Sequence, residues 1–363
     1  MHVADVTMFY AARGGGIRSY VDAKRMWLRA RGGHHTLLVP GANGCASDPC
    51  TIGLRSVPLP FSHGYRVPLG TRSTVNSLVS LKLHLVEAED AWHLAWAVLR
   101  ARDALQIPAV AFCHSNVPRW LAMRCGRNVE RGAIRYCRAL YRHFDLVLAP
   151  SAHLTTTLQS WGIERVQHQP LGVDLSIFNP RRRTTGLRER MGISERSRVL
   201  VYAGRFAAEK NLVDLTGAMR RLGPCYVLLL VGAGALPADL PANVRVIDYV
   251  QQREELSVLL ASCEAFVHAG DQETFGLAAL EAMACGLPVV GADAAGIGEI
   301  IRGGAGIAVT PRCAQALADG IAHLFAQDVV AIGASARRIA ERYAWEQVLC
   351  ALLQRYRALS AAA

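Results

Sequence analysis

Two glutamates eight residues apart, Glu273 and Glu281, bracket a stretch in which every residue from Phe275 to Cys285 is apolar or glycine except Glu281. A helix apolar on all sides is a buried one, so Glu281 is expected as a charge inside a core. Such a carboxylate needs partners, because burying it unpaired costs several kcal/mol or drives its pKa upward. Eight residues of helix rise about 12 Å, more than the roughly 5–9.5 Å between the paired carboxyl groups of glycosidases. The pair therefore suits an extended ligand gripped at two points; the alternative is a Glu281 simply paired with an arginine. Glu273 precedes the helix, at a turn where the N–H groups of Gly276 and Leu277 are expected without helical partners.

A second group is Gly204-Arg205-Phe206-Ala207-Ala208-Glu209-Lys210-Asn211, directly after the apolar run Val199–Ala203. Two cations leaving one strand end just before a helix can stabilise charge building up on a departing diphosphate. A third is Gly14-Gly15-Gly16, where the backbone can approach a ligand closely and the following helix offers N–H groups to an anion. It is a poor dinucleotide fingerprint. Ser19 stands where a third glycine belongs, and the second strand ends Leu38-Val39-Pro40-Gly41 with no acid for a ribose, which counts against a nicotinamide enzyme.

These turns belong to an alternation of short apolar runs and amphipathic stretches, the pattern of parallel sheets covered by helices. Strands are expected at His2–Tyr10, His35–Val39, Ala109–Cys113, Leu146–Ala149, Val199–Ala203, Tyr226–Val231, Ala265–His268 and Pro288–Val290, with a first helix over Ile17–Ala30. In such sheets ligands bind beyond the carboxyl ends of the strands, where all three turns lie. The 363 residues suit two domains, and Pro170–Pro180 (PLGVDLSIFNP) with Arg181–Arg183 and Thr184–Thr185 has linker composition. The expected division is 1–175, 176–340, and a terminal helix over 341–363 packing back on the first domain. The helical pattern Ala334–Leu359 is interrupted near Tyr343–Trp345.

With 52% hydrophobic and 19% charged residues the chain can bury two cores, which excludes disorder. No basic segment followed by a long apolar run opens it, and no run reaches the roughly 20 residues of a membrane span, so a cytoplasmic protein is expected. Ten cysteines without C-x-x-C or zinc-ligand spacing read as free thiols in apolar surroundings, Cys225, Cys263 and Cys285 among them. Residues 1–178 carry 20 Lys/Arg against 11 Asp/Glu, and residues 179–363 carry 20 against 18, so an acidic partner is expected to meet the first half.

Much of that excess is one stripe. Arg124, Arg127, Arg131, Arg135, Arg138 and Arg142 fall on one helical face, with Val129, Ala133, Tyr136, Cys137, Leu140 and Phe144 opposite and expected to pack on the sheet. A stripe of one sign with few acids in reach suits anionic lipid headgroups on the inner face of a membrane. Nucleic acid is disfavoured, since no aromatic stacking motif accompanies the arginines.

The segment ETFGLAALEAMACGLPVV, with its E-x7-E spacing, strongly resembles the retaining family 4 glycosyltransferases of the GT-B fold. GGGIRSYVDAKRMWLRARGGHHTLLVPG, PLGVDLSIFNP and GRFAAEKN resemble that family's opening glycine turn, linker and basic turn, so nearly the whole chain is matched in order. The resemblance implies two Rossmann-like domains facing across a cleft, with a nucleotide-sugar donor and a lipid or glycan acceptor. It implies that Glu273 contacts the donor sugar, Glu281 the ribose, and Arg205 and Lys210 the diphosphate, with the N–H groups of Phe275, Gly276 and Leu277 alongside. Gly15 and Gly16 would close over the phosphates, and His114 would contact the sugar near the reaction centre. Attack on the front face, with the departing phosphate oxygen taking the proton, needs no enzymic nucleophile. Neither a metal nor a cofactor is implied, in keeping with the absence of D-x-D.

Arg13 and Arg18 depart from the family's smaller residues beside the glycine turn, and Asp248-Tyr249-Val250 does not select a base. Ser56–Leu69 (SVPLPFSHGYRVPL) resembles loops of mannosyl- and sulfoquinovosyl-type members, which favours GDP-mannose over a UDP-sugar. Two alternatives share the fold: a non-catalytic nucleotide-sugar-binding subunit, and a sugar-nucleotide epimerase, a class that lacks the E-x7-E arrangement.

Overall fold

A computed structural model describes residues 1–10, 15–41, 48–58 and 65–362. They form two compact units, Met1–Pro170 together with Glu346–Ala363, and Leu171–Trp345.

The first unit is built on seven strands in the spatial order Thr51–Leu54, His34–Pro40, His2–Val6, Leu85–Ala88, Ala109–Phe112, Leu146–Ala149, Val166–His168. All adjacent pairs are parallel. The second unit repeats the scheme with six parallel strands: Val244–Ile247, Tyr226–Val231, Arg198–Ala203, Ala265–His268, Val289–Ala292, Gly306–Val309. The central strands are apolar along their length because both faces of a parallel sheet are covered; Tyr226–Val231 is buried at every residue. In each sheet the order reverses beside the first strand, at His2–Val6 with Leu85–Ala88 and at Arg198–Ala203 with Ala265–His268. Those two switch points are where an open sheet binds ligands.

Four strands without a sequence signal, Thr51–Leu54, Val166–His168, Val244–Ile247 and Gly306–Val309, are the sheet edges. They are three or four residues long and only partly buried, so they leave no apolar run. The first strand ends at Val6, not Tyr10, because the Asp90 carboxylate accepts from the Met8 N–H (2.7 Å) and the Thr7 hydroxyl (3.0 Å) and turns the chain away. The terminal helical pattern divides into Val329–Glu341 and Trp345–Ala362. At the break, the Val173 N–H donates to the Tyr343 carbonyl (2.8 Å), and the Trp345 ring lies where a side chain at residue 172 would stand 2.5 Å from it, so glycine is required there. Cys263 and Cys285 are buried as expected, whereas Cys225 is exposed at the turn before Tyr226–Val231. Among the described residues no single helix is long and apolar enough to cross a membrane.

Candidate functional site

At the switch point of the second sheet, Tyr202 donates its hydroxyl to the Arg205 carbonyl (2.9 Å) and Phe206 is buried, which fixes the turn leaving Arg198–Ala203. The Arg205 side chain projects outward, 74% exposed, with Glu209 3.3 Å away. Ala208–Lys210 makes one 3-10 turn, and Asn211 enters the left-handed region (φ 49°) to start helix Leu212–Leu222. The Asn211 amide donates to the Ala269 carbonyl at 3.2 Å, tying this turn to the end of the neighbouring strand.

That tie brings Lys210 to Glu273, whose Oε1 accepts from the ammonium. The same oxygen lies 3.1 Å from Nε2 of His268. Nδ1 of His268 accepts the Gly270 N–H at 3.1 Å, so Nε2 carries the hydrogen and donates to Glu273. Burial by itself would raise the Glu273 pKa, but Lys210 and His268 hold it well below the ordinary carboxylate range. It is an anion at neutral pH, kept in place by two donors. His268 had no sequence reading beyond strand Ala265–His268; the available signal was a polar residue closing an apolar strand at the switch point.

The chain after Glu273 is held from below. Gly296 donates its N–H to the Glu273 carbonyl (2.8 Å), and a Cβ at Gly296 would stand 2.4 Å from the Thr274 carbonyl oxygen. Gly276 caps the next helix at φ 101°, a conformation that disfavours any side chain. Helix Leu277–Ala284 thus starts four residues later than an unbroken helix from Glu273 would, and the rise of about 12 Å does not apply. Phe275 is buried, and the first N–H groups of this helix have no carbonyl within it to receive them.

Glu281 is not enclosed. Ala279, Leu280, Ala282, Met283 and Ala284 are buried, while Leu277, Ala278 and Glu281 share the one partly open face. The helix packs the other residues inward and leaves the stripe at i, i+1 and i+4 uncovered. Arg253 Nη2 lies 3.5 Å from Glu281 Oε1. Burial nonetheless dominates over this arginine and raises the Glu281 pKa to about 7. The folded chain therefore holds this proton more tightly than the unfolded chain. The carboxylate costs nothing below pH 4.5, an increasing amount as the pH rises to about 7, and a constant amount above that. Without donor, Glu281→Gln should raise the melting temperature at pH 8 by a few degrees and leave it unchanged at pH 4.5. A melting temperature unchanged at both pH values would show that the site tolerates the charge.

In the first unit, Gly15 caps helix Gly16–Arg29, and a Cβ built on it meets nothing within 4 Å. Gly14 and Arg13 lie outside the described residues, as does 59–64 of the 56–69 loop. Arg18 is paired with Asp22 at 3.3 Å. His114 follows strand Ala109–Phe112, is buried, and stacks on Phe112 with ring centroids 4.1 Å apart. Its Nε2 lies 2.7 Å from Oε2 of Glu89. Burial first, then Lys24, pushes the His114 pKa down to about 3 against the opposing pull of Asp5. Lys24, Asp5, Glu87 and Glu89 have no reading from sequence, although LHLVEAED hides a strand whose acids point at one buried lysine.

All six arginines of the stripe are exposed on helices Val117–Cys125 and Arg127–Tyr141 and their ends, and none is in an ion pair among the described residues. Packing differs from expectation: Cys137, Leu140, Tyr141 and Phe144 are buried, whereas Val129 and Tyr136 are exposed, as are Trp120 and Met123. Only the last part of helix Arg127–Tyr141 is seated, which leaves Val129 and Tyr136 exposed on the face opposite the arginines, while the Arg124 guanidinium lies 3.9 Å from the centre of the Trp120 ring.

The chain matches the family model of Glycosyltransferase Family 4 over residues 14–177 and that of Glycosyl transferases group 1 over residues 184–344. It is 28% identical over 367 residues to the GDP-mannose-dependent alpha-(1-6)-phosphatidylinositol dimannoside mannosyltransferase of Mycobacterium tuberculosis, covering 97% of this chain and 95% of the relative. A GDP-mannose-dependent alpha-mannosyltransferase of the same organism is 32% identical over 271 residues, 73% of this chain and 70% of the relative. Among solved structures, the sucrose-phosphate synthase of Thermosynechococcus elongatus superposes with a TM-score of 0.82 at 23% identity, over 100% of both chains. Anabaena Alr3699/HepE in complex with UDP-glucose superposes with a TM-score of 0.78 at 20% identity, over 99% of this chain and 100% of that one. These likenesses establish the GT-B fold, two parallel-sheet α/β domains.

Proposed function

The chain belongs to glycosyltransferase family 4, the hexose-transferring enzymes of GT-B fold, and we propose that it moves mannose from GDP-mannose to a hydroxyl of a lipid acceptor, with retention and without a metal ion. The observation that carries this reading is the Lys210–Glu273–His268 cluster at the switch point of the second sheet. Breaking the sugar–phosphate bond leaves negative charge on the diphosphate. Lys210 has two ammonium hydrogens beyond the one given to Glu273, Arg205 holds an exposed guanidinium, and the helix Leu277–Ala284 presents N–H groups with Phe275 and Gly276 before it. Glu273, anionic and doubly supported, accepts from hydroxyls of the sugar; Glu281 accepts from the ribose. His114, Gly15 and Gly16 are read as donor contacts on the family resemblance alone. The acceptor hydroxyl attacks the anomeric carbon on the face the diphosphate leaves, and its proton passes to the departing phosphate oxygen.

The donor choice is supported by relatives whose names specify GDP-mannose. A ligand at 100 times its Kd stabilises the fold by about 2.7 kcal/mol. In a thermal-shift panel GDP-mannose and GDP are therefore expected to raise the melting temperature more than UDP-glucose and UDP. GDP release on adding a lipid acceptor completes the test, and a shift confined to UDP-sugars overturns the donor assignment.

The acceptor choice draws on the arginine stripe. Each Lys or Arg near an anionic bilayer contributes about 1 kcal/mol, and the exposed Trp120, against which Arg124 stacks, adds apolar contact at the same surface. Flotation should recover the protein with vesicles containing phosphatidylglycerol, not with phosphatidylcholine alone, and Arg131→Glu with Arg135→Glu should abolish recovery. Equal, negligible binding to both vesicle types would end the idea.

A further inference from the structure

Glu89 donates its backbone N–H to the Val6 carbonyl at 3.0 Å, which places it at the switch point of the first sheet. Asp5, Glu87 and Glu89 are wholly buried, and their carboxylate oxygens lie within 4.8 Å of one another. One cation stands among them. Lys24 Nζ is 2.8 Å from Asp5 Oδ1 and 3.2 Å from both Glu87 Oε1 and Glu89 Oε1. Three carboxylates around one ammonium in a dry interior do not all ionise, so the cluster retains a proton.

The remaining donors decide where it resides. Asp5 also faces His35, whose Nε2 lies 2.8 Å from Oδ2. Glu87 accepts the Tyr20 hydroxyl on one oxygen (3.0 Å) and the Tyr356 hydroxyl on the other. Glu89 accepts from Lys24 at Oε1, and its Oε2 faces Nε2 of His114 at 2.7 Å, as Asp5 faces His35. Asp5 holds the ammonium at 2.8 Å against 3.2 Å for Glu89, and Glu87 has two hydroxyl donors that Glu89 lacks, so Glu89 is the acid that stays protonated. Burial, reinforced by Glu87 and Asp5 against the pull of Lys24, raises its pKa well above the carboxylate range.

We propose that Glu89 is a positioning residue: its protonated carboxyl donates to Nε2 of His114 and fixes the imidazole as the neutral tautomer with hydrogen on Nδ1. The inference rests on the reading of His114 as a contact of the donor sugar. Glycosyl transfer builds positive charge on the sugar ring, and an imidazolium beside it would oppose that charge. A neutral ring of fixed tautomer does not. Stacking of the ring on Phe112 and its tilted contact with Tyr20, 5.2 Å between centroids, hold the imidazole in the plane that Glu89 addresses.

The test uses full-length protein labelled with 15N-histidine, with the His114 signals assigned by their loss in His114→Gln. Long-range proton–nitrogen correlation at pH 7.5 should show a neutral ring protonated at Nδ1. Glu89→Gln, whose amide N–H can donate to Nε2, should keep that tautomer and a kcat within about threefold of the parent. Glu89→Ala should lower kcat about 30-fold with little change in donor KM. A ring protonated at Nε2 in the parent protein, or a Glu89→Gln variant as impaired as Glu89→Ala, overturns the proposal. Should Glu89→Ala fail to fold, the parent spectrum and Glu89→Gln decide alone. The spectrum needs no substrate, so a protein that turns over no nucleotide sugar yet shows the Nδ1–H ring would remove the functional reading and leave the proton assignment standing.

Discussion

Glu273→Ala is expected to abolish sugar transfer, with kcat lowered by at least about 10³-fold, while the protein still folds. The size of the effect follows from what the side chain does in the structure. It is an anion held by Lys210 and His268, so it is pre-aligned and loses no freedom when a sugar hydroxyl arrives. Removing one preorganised polar partner of a transition state commonly costs 10²–10³-fold. Here the loss is compounded, because Lys210 and His268 are left without the acceptor that orients them. Glu273→Gln separates the two contributions: an amide keeps a hydrogen-bonding oxygen but not the charge, and should recover part of the activity. Transfer at the parental rate by Glu273→Ala, measured as GDP release with acceptor present, would contradict the site assignment.

Lys210→Ala should weaken diphosphate binding about 100-fold and lower kcat/KM by more. Titration of GDP into the variant by calorimetry reads the first effect directly. The pH dependence supplies a second readout. With Lys210 present, the folded-state pKa of Glu273 is depressed, so the pair contributes stability above the unfolded value of 4.5 that is lost as the pH falls below it. Without the ammonium, burial is opposed by His268 alone and the Glu273 pKa rises. The variant should then lose residual activity on acidification at a higher pH than the parent does, and Lys210→Arg should move that limb back. An affinity for GDP equal to the parent's would show that Arg205 and the helix N-terminus carry the diphosphate without Lys210.

Several features were legible without a structure because they depend on local physics. Buried parallel strands such as Tyr226–Val231 must be apolar throughout, so they are visible as runs, and the glycine at 276 is demanded by one backbone angle. The E-x7-E spacing and the basic turn are fixed by neighbours in the chain. The edge strands were illegible because partial exposure relaxes the apolar pattern that marks a strand. Leu85–Ala88 was illegible for a different reason: Glu87 and Glu89 are buried because Lys24, more than sixty residues away, neutralises them.

By itself, then, the sequence determined two α/β units, the turns that hold the candidate site residues, and the sign of the charged groups on them, since these follow from propensity and burial along the chain. Tertiary structure alone decided which charges meet. Glu273 is an anion because a strand end sixty-three residues earlier delivers Lys210, whereas Glu281, eight residues from it, has a pKa raised to about 7 because only a half-exposed Arg253 opposes its burial. The free energy of a buried charge is set by the few groups within about 4 Å, and no rule of local spacing specifies those.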